Sequence, residues 1–201
     1  MLRAQLDDTI TVIASLDWGE SSSAQREASA VLGGIDIPPL LGEFKTRLDE
    51  LIDVEKSVEK TTHYKWFLSE DPESRFQVWL HEYKASTHRR EGHATVAHNH
   101  RFWLTSLILR GGFTDTRYER IEDGERNGLS ISAIESRKMR SGETMVLSPD
   151  EIHSLGELRD GTLSLVVQSK PVRSYSEVFE AGEVRRYRDL GAQLAELRSS
   201  L

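Results

Sequence analysis

From Phe76 to Ser169 the chain is a succession of short apolar segments punctuated by turn residues, and few architectures accommodate that rhythm. The segment Phe76–Tyr83 reads FQVWLHEY and alternates like a half-buried strand. Residues 103–109 read as a second strand, closed by Gly111-Gly112. Segments 116–121, 129–135, 143–147 and 163–169 follow, each bounded by Gly, Asp, Asn or Pro. Short strands at this spacing indicate an antiparallel sandwich or barrel, so the chain is expected to be mainly β.

The flanks read as helical. Leu2, Leu6, Ile10 and Ile13 recur at helical spacing. A second helix is expected over 24–32, with Ser21-Ser22-Ser23 as capping hydroxyls and Gly33-Gly34 as a stop. Pro38-Pro39 opens a third, striped by Leu41, Phe44, Leu48 and Leu51. Val184, Tyr187, Leu190, Leu194, Leu197 and Leu201 step by three or four, which predicts a C-terminal helix. The expected organisation is one domain over 1–201, with a helical extension over 1–60, a barrel over 61–172 and a helix over 183–201.

Composition narrows the function classes. Acidic residues outnumber basic ones 33 to 26, for a net charge of −7, which argues against a nucleic-acid binder. No apolar run is long enough for a membrane span, and the start lacks the apolar stretch of a secretory signal. The chain has no cysteine, which excludes disulfides, thiolate nucleophiles, Cys-based zinc sites and iron–sulfur clusters and suits a cytoplasmic location. Any metal must therefore sit on His, Asp or Glu, and there are 7 histidines.

Their placement is informative. Residues i and i+2 of a strand point to one side, so His98 and His100 are expected to present two imidazoles to one point inside the barrel. Neutral imidazole suits Fe, Zn, Cu and Ni. His153, placed at the end of the predicted strand that follows the Gly142 turn, is the candidate third ligand. A lone His-x-His arises often by chance.

The frame around these residues resembles the cupin superfamily. Its first motif runs Gly, five residues, His-x-His, three or four residues, Glu, six residues, Gly. Gly92, His98 and His100 fit it, Leu104 or Thr105 falls at the Glu position, and Gly111 or Gly112 closes it. Gly142, Pro149 and His153 approximate the second motif. The resemblance implies a cupin fold, a double-stranded β-helix or jelly-roll barrel, with a metal held by His98, His100 and His153. The missing Glu ligand would leave positions open for substrate and oxygen.

Within that superfamily the chain resembles cysteine dioxygenases and related thiol dioxygenases over about Tyr64 to Pro171. The segment Glu91-Gly92-His93, four residues, His98-x-His100 is similar to that family's Glu-Gly-His-x4-His-x-His. Tyr64-Lys65-Trp66-Phe67-Leu68 is similar to its Tyr-x-Arg-x-Leu, and Ser164 to Pro171 to its Ser-Leu-His-Leu-Tyr-Ser-Pro-Pro. On this alignment the family's carboxylate-binding Arg falls on Trp66, its last-strand His and Tyr on Val166 and Gln168, and its partner Cys on Thr105. Trp cannot replace a guanidinium fork, so cysteine is not the expected substrate, and a larger, flatter or less acidic one is.

The implied function is a non-heme Fe(II)-dependent oxygenase or dioxygenase of a small molecule, with O2 as co-substrate. Fe(II)/2-oxoglutarate enzymes pair two His with a carboxylate, which is absent at the first-motif position. Alternatives are a metal-dependent isomerase or lyase using Zn, Ni or Mn, or a non-catalytic cupin that binds a small ligand. Gln168, Trp66 and Tyr64 are the candidate catalytic residues, with Gln168 able to donate a hydrogen bond to substrate or oxygen. His93 is a candidate ligand-orienting group. Trp79, Tyr83, Trp103 and Tyr118 read as core, and His63, His81 and His88 as structural or surface. Alternation places Arg101 on the side away from His98 and His100. No nucleic-acid or membrane partner is expected, and the assembly is expected to be a monomer or homodimer.

Overall fold

A computed structural model describes residues 5–19, 21–88, 92, 94–122, 129–180, 182–188 and 198. Three helices lead, α1 (Gln5–Ala14), α2 (Ser21–Gly33) and α3 (Ile37–Leu51). They are followed by β1 (Asp53–Glu59), β2 (His63–Glu70), β3 (Phe76–Tyr83), β4 (Ala97–His98), β5 (Leu104–Arg110) and β6 (Gly112–Glu122). Then come β7 (Leu129–Arg140), β8 (Thr144–Leu147), β9 (Ile152–Gly156), β10 (Leu163–Ser169), β11 (Tyr175–Glu180) and β12 (Glu183–Arg188). The strands form two six-stranded antiparallel sheets, in the orders β1-β2-β3-β10-β5-β8 and β12-β11-β4-β9-β6-β7. This is the mainly β, two-sheet architecture that the short strands predict.

The central strands β3, β5 and β10 of the first sheet are buried on both faces. Phe76, Val78 and Leu80 of β3, Leu107 and Leu109 of β5, and Leu163, Leu165 and Val167 of β10 pack against Leu6, Ile13, Trp18, Ala24, Ala28, Leu32, Leu40 and Phe44 of the helical region. Each fully buried Val, Leu, Ile or Phe among them contributes roughly 1.5–3 kcal/mol. A polar pin adds register, because the Thr105 hydroxyl hydrogen-bonds to the backbone and side-chain oxygens of Gln25 in α2. The alternate residues of the same strands face the other sheet across a cavity. Gly111 makes the corner between β5 and β6 at φ 78°, a left-handed conformation where a Cβ would also meet Thr162.

Three boundaries differ from the sequence expectation. The helical region ends at Leu51 instead of 60, because Val54, Val58 and their charged neighbours form the edge strand β1. The predicted C-terminal helix begins instead as strand β12, paired with β11 from Tyr175↔Arg188 to Glu180↔Glu183. Its three-and-four spacing serves a strand there, because cross-strand pairing outweighs a weak apolar stripe. Residues 189–197 and 199–201 of that prediction lie outside the described residues. His153 is not at the end of the strand after Gly142: β8 stops at Leu147, and His153 lies on the separate strand β9. Among the described residues, no helix is long and apolar enough to cross a membrane.

Candidate metal centre

The second sheet brings the three sequence-predicted histidines together. β4 and β9 pair antiparallel with His98 directly opposite His153. β4 itself is only two residues long, so His100 reaches the cluster from the loop beyond it rather than by strand alternation. One nitrogen from each of His98, His100 and His153 lies within 4.8 Å of the others. His100 Nε2 and His153 Nε2 stand 3.1 Å apart. Two imidazole ligands at ~2.0–2.1 Å from one ion sit ~3–3.4 Å apart, so this spacing suits a shared cation. His98 and His153 are each 2% exposed, whereas His100 is half-buried.

Two of the three remaining ring nitrogens are committed elsewhere, which fixes the tautomers of His98 and His153. His98 Nδ1 is 2.9 Å from the Val96 carbonyl, a contact in which the ring N–H donates. His153 Nδ1 is 2.8 Å from Asp115 Oδ1, buried on β6. Both arrangements leave Nε2 with its lone pair, the form a metal ligand needs. Burial alone would push the Asp115 carboxyl up, but the hydrogen bond from His153 and the Arg117 guanidinium hold it below its ordinary value. Arg117 also bonds Glu151 at 2.6 Å. No motif marks Asp115; its only signal is a carboxylate on the inward parity of a strand.

Two further clasps position the ligand loop. Asn99 is fully buried, and its amide donates to Glu177 Oε2 at 3.1 Å while its amide oxygen accepts the Glu177 N–H at 2.7 Å. Arg120 and Arg186 close on the same carboxylate. Burial raises the Glu177 carboxyl, but Arg120, Asn99 and Arg186 bring it below its ordinary value. Arg173 donates from Nε to the His100 carbonyl at 2.9 Å and also bonds the Pro149 carbonyl, tying together the loops that precede and follow the cluster.

The cluster opens on a cavity of about 740 Å³ between the sheets, which Lys65, His81, Tyr83, Arg101, Ser106 and Gln168 also line. Gln168, a candidate from the sequence, is thus among the residues on the cavity wall. Tyr64 and Trp66 are not. They occupy the opposite parity of β2, stacked on each other at 5.3 Å, with Trp66 Nε1 donating to Glu82 and its ring against the helical core. The cavity residues of that strand are His63 and Lys65, so the wall carries a cation beside the place where the alignment put an indole. That removes the ground for expecting a less acidic substrate. Thr105 likewise faces α2 rather than the cavity, and Ser106 lines it instead.

Other expectations also change. Arg101 lines the cavity because the strand ends at His98 and alternation no longer applies. His63 and His81 line it too, with rings 4.8 Å apart, although neither has a motif around it. Tyr83 is a lining residue, whereas Trp79 packs edge-on to Phe67 in the core. Glu91 and His93 lie outside the described residues. Burial, then His63, Lys65 and His100, hold the His81 imidazole well below its ordinary value, so it is neutral at neutral pH. Lys65 is lowered to about 8 by burial and by Lys60 and Arg101.

No protein-family model and no curated protein sequence matches the chain. Among solved structures it is similar to ectoine synthase from P. lautus, at 17% identity and TM-score 0.42 over 62% of this chain and 76% of that one. It is also similar to the DMSP lyase DddQ from Ruegeria pomeroyi DSS-3, at 10% identity and TM-score 0.44 over 74% of each chain. KdgF from Halomonas sp. overlaps at 13% identity and TM-score 0.40 over 61% of this chain and 95% of that one. Overlaps at this level carry no function across, so the chemistry rests on the side chains of the cavity.

Proposed function

We propose that the chain is a cupin-type, metal-dependent enzyme that oxidises a small molecule with O2, with His98, His100 and His153 holding Fe(II). The observation that carries this reading is the convergence of three imidazoles, two with their second nitrogens already committed, at the wall of a cavity of about 740 Å³. The donor set fits the ion, since three neutral imidazoles suit Fe, Ni or Zn better than Mg or Ca. Fe(II) bound there would keep its full charge and open coordination positions, the property that supports binding of a substrate donor together with O2. Asp115 holds His153 in the ligating tautomer, and the Asn99–Glu177 pair and Arg173 hold the loop that carries His98 and His100. Leu104, Leu147, Leu155 and Val166 give the cavity apolar walls, which limit water around the reacting groups. Gln168 supplies an amide beside Lys65.

A Lewis-acid isomerase or lyase with Zn, Ni or Mn is the second reading. It is favoured by Lys65, an amine lowered to about 8 and therefore able to exchange a proton near neutrality. Anaerobic loading with Fe(II), then oxygen-electrode recording while a panel of small carboxylates, amines and thiols is added, separates the two. The oxygenase reading expects O2 uptake that needs both Fe(II) and one of the panel. Anaerobic turnover of a panel member by the Zn(II)-loaded protein, with no O2 uptake by the Fe(II) form, overturns it in favour of the second.

A further inference from the structure

The wall of the cavity that the first sheet contributes carries chemistry that the histidine cluster does not use. Lys65 of β2 and His81 of β3 are cross-strand partners in register, and both side chains line the cavity. Lys65 pairs with no carboxylate among the described residues. Its Nζ lies 3.4 Å from the Gln168 amide oxygen and 4.4 Å from the centre of the Trp79 ring. His81 is 8% exposed, and its Nε2 has no hydrogen-bond partner among the described residues. A half-buried cation without a counter-ion among the described residues and a buried ring nitrogen without a partner there both cost free energy unless a ligand completes them.

The charge distribution points the same way. The chain carries a net charge of −7, yet among the described residues lining the cavity the charged ones are Lys60, Lys65 and Arg101 with Glu59. Glu59 is already engaged by Lys84 at 2.5 Å. A cleft of one sign with low-dielectric walls concentrates ligands of the other sign.

We infer that Lys65 and His81 form an oxyanion subsite, suited above all to a carboxylate, for an anionic group of the substrate on the wall that the first sheet contributes. The substrates are then small anionic molecules. An ammonium and a ring N–H on neighbouring strands can each take one oxygen of the same carboxylate. Gln168 holds Lys65 through its carbonyl and leaves its amide N–H groups as further donors. The subsite rests on the small-molecule reading above for the position of the rest of the substrate, but not for its own binding.

Benzoate, inorganic phosphate and neutral benzamide are the probes, titrated by calorimetry or saturation-transfer NMR with and without one equivalent of Zn(II). Benzoate should bind at least about tenfold more tightly than benzamide, and Lys65→Met should remove about tenfold or more of that affinity. Lys65→Arg should restore most of it. His81→Phe should weaken benzoate without changing benzamide. Phosphate binding that likewise needs Lys65 supports the subsite and, if tighter than benzoate, identifies a phosphorylated substrate. Equal benzoate affinity in the wild type and Lys65→Met, equal binding of benzamide and benzoate, or no binding of either anion overturns it. Zn(II) affinity, measured on the same samples, keeps the two proposals apart. Anion binding without metal binding sinks the metalloenzyme and leaves the subsite. Metal binding without Lys65-dependent anion binding does the reverse.

Discussion

Asp115→Asn tests whether the carboxylate behind His153 sets the ligating tautomer. Asp115 offers two acceptor oxygens to two donors, His153 Nδ1–H at 2.8 Å and the Arg117 guanidinium. Asparagine offers one acceptor and one donor in the same shape, so one of the two partners must lose. Arg117 is permanently charged and keeps the carbonyl, which turns the NH2 toward His153 Nδ1. The imidazole then accepts at Nδ1 and carries its proton on Nε2, where a metal would bind. Loss of such an outer carboxylate costs about 10–100-fold in metal affinity, or about 1.4–2.7 kcal/mol. The cost to the fold is smaller, because Arg117 retains Glu151 at 2.6 Å and no buried charge is stranded. Competition for Zn(II) or Co(II) against a chromophoric chelator at pH 7 measures the effect, with the melting temperature as control. An affinity within twofold of wild type would refute the tautomer argument.

Three other outcomes follow from neighbouring contacts. Thr105→Ala removes a buried hydroxyl that bonds Gln25 and leaves amide oxygens unpaired, so it should cost about 1–3 kcal/mol and lower the melting temperature by a few degrees, with metal affinity unchanged. Glu177→Gln should weaken metal binding several-fold by loosening Asn99. The Glu177 carboxyl is held below its ordinary 4.5, so its contribution to stability is present at and above that pH and is lost as pH falls through the lowered value. Melting curves of wild type and Glu177→Gln should therefore converge in acid. Lys65 is lowered from 10.5 to about 8, so its burial destabilises the fold while it is charged. Lys65→Met should raise stability at pH 7 by up to about 3 kcal/mol, less for its partial exposure, and the gain should shrink between about pH 8 and 10.5.

Strand rhythm and helix stripes made most of the architecture legible. β3, β8 and β10 stand close to where turn residues and alternation put them, and Leu165 and Val167 show why a sandwiched strand reads as an apolar run. β1 and β12 were hidden because edge strands rich in Glu, Lys and Arg carry little apolar signal, and the interior strand β11 because its six residues show a Val178-Phe179 pair rather than an alternation. The meeting of His98 and His153 depends on the β4–β9 register, which His-x-His spacing alone does not contain. Parity decided the other wall. A shift of one residue in β2 exchanges Trp66 for Lys65, and with it an aromatic surface for a cation. Asp115, His63 and His81 come from strands whose pairing only the folded chain supplies, so no local pattern announced them.

The proposed metalloenzyme turns on whether His98, His100 and His153 hold an ion together. Anaerobic titration of the purified chain with Co(II), read by its visible absorption and checked by metal analysis after gel filtration, addresses that directly. The account predicts one equivalent bound per chain, lost in each of His98→Ala, His100→Ala and His153→Ala while the fold persists. Absence of stoichiometric binding in the wild type, or undiminished binding in all three variants, would contradict it.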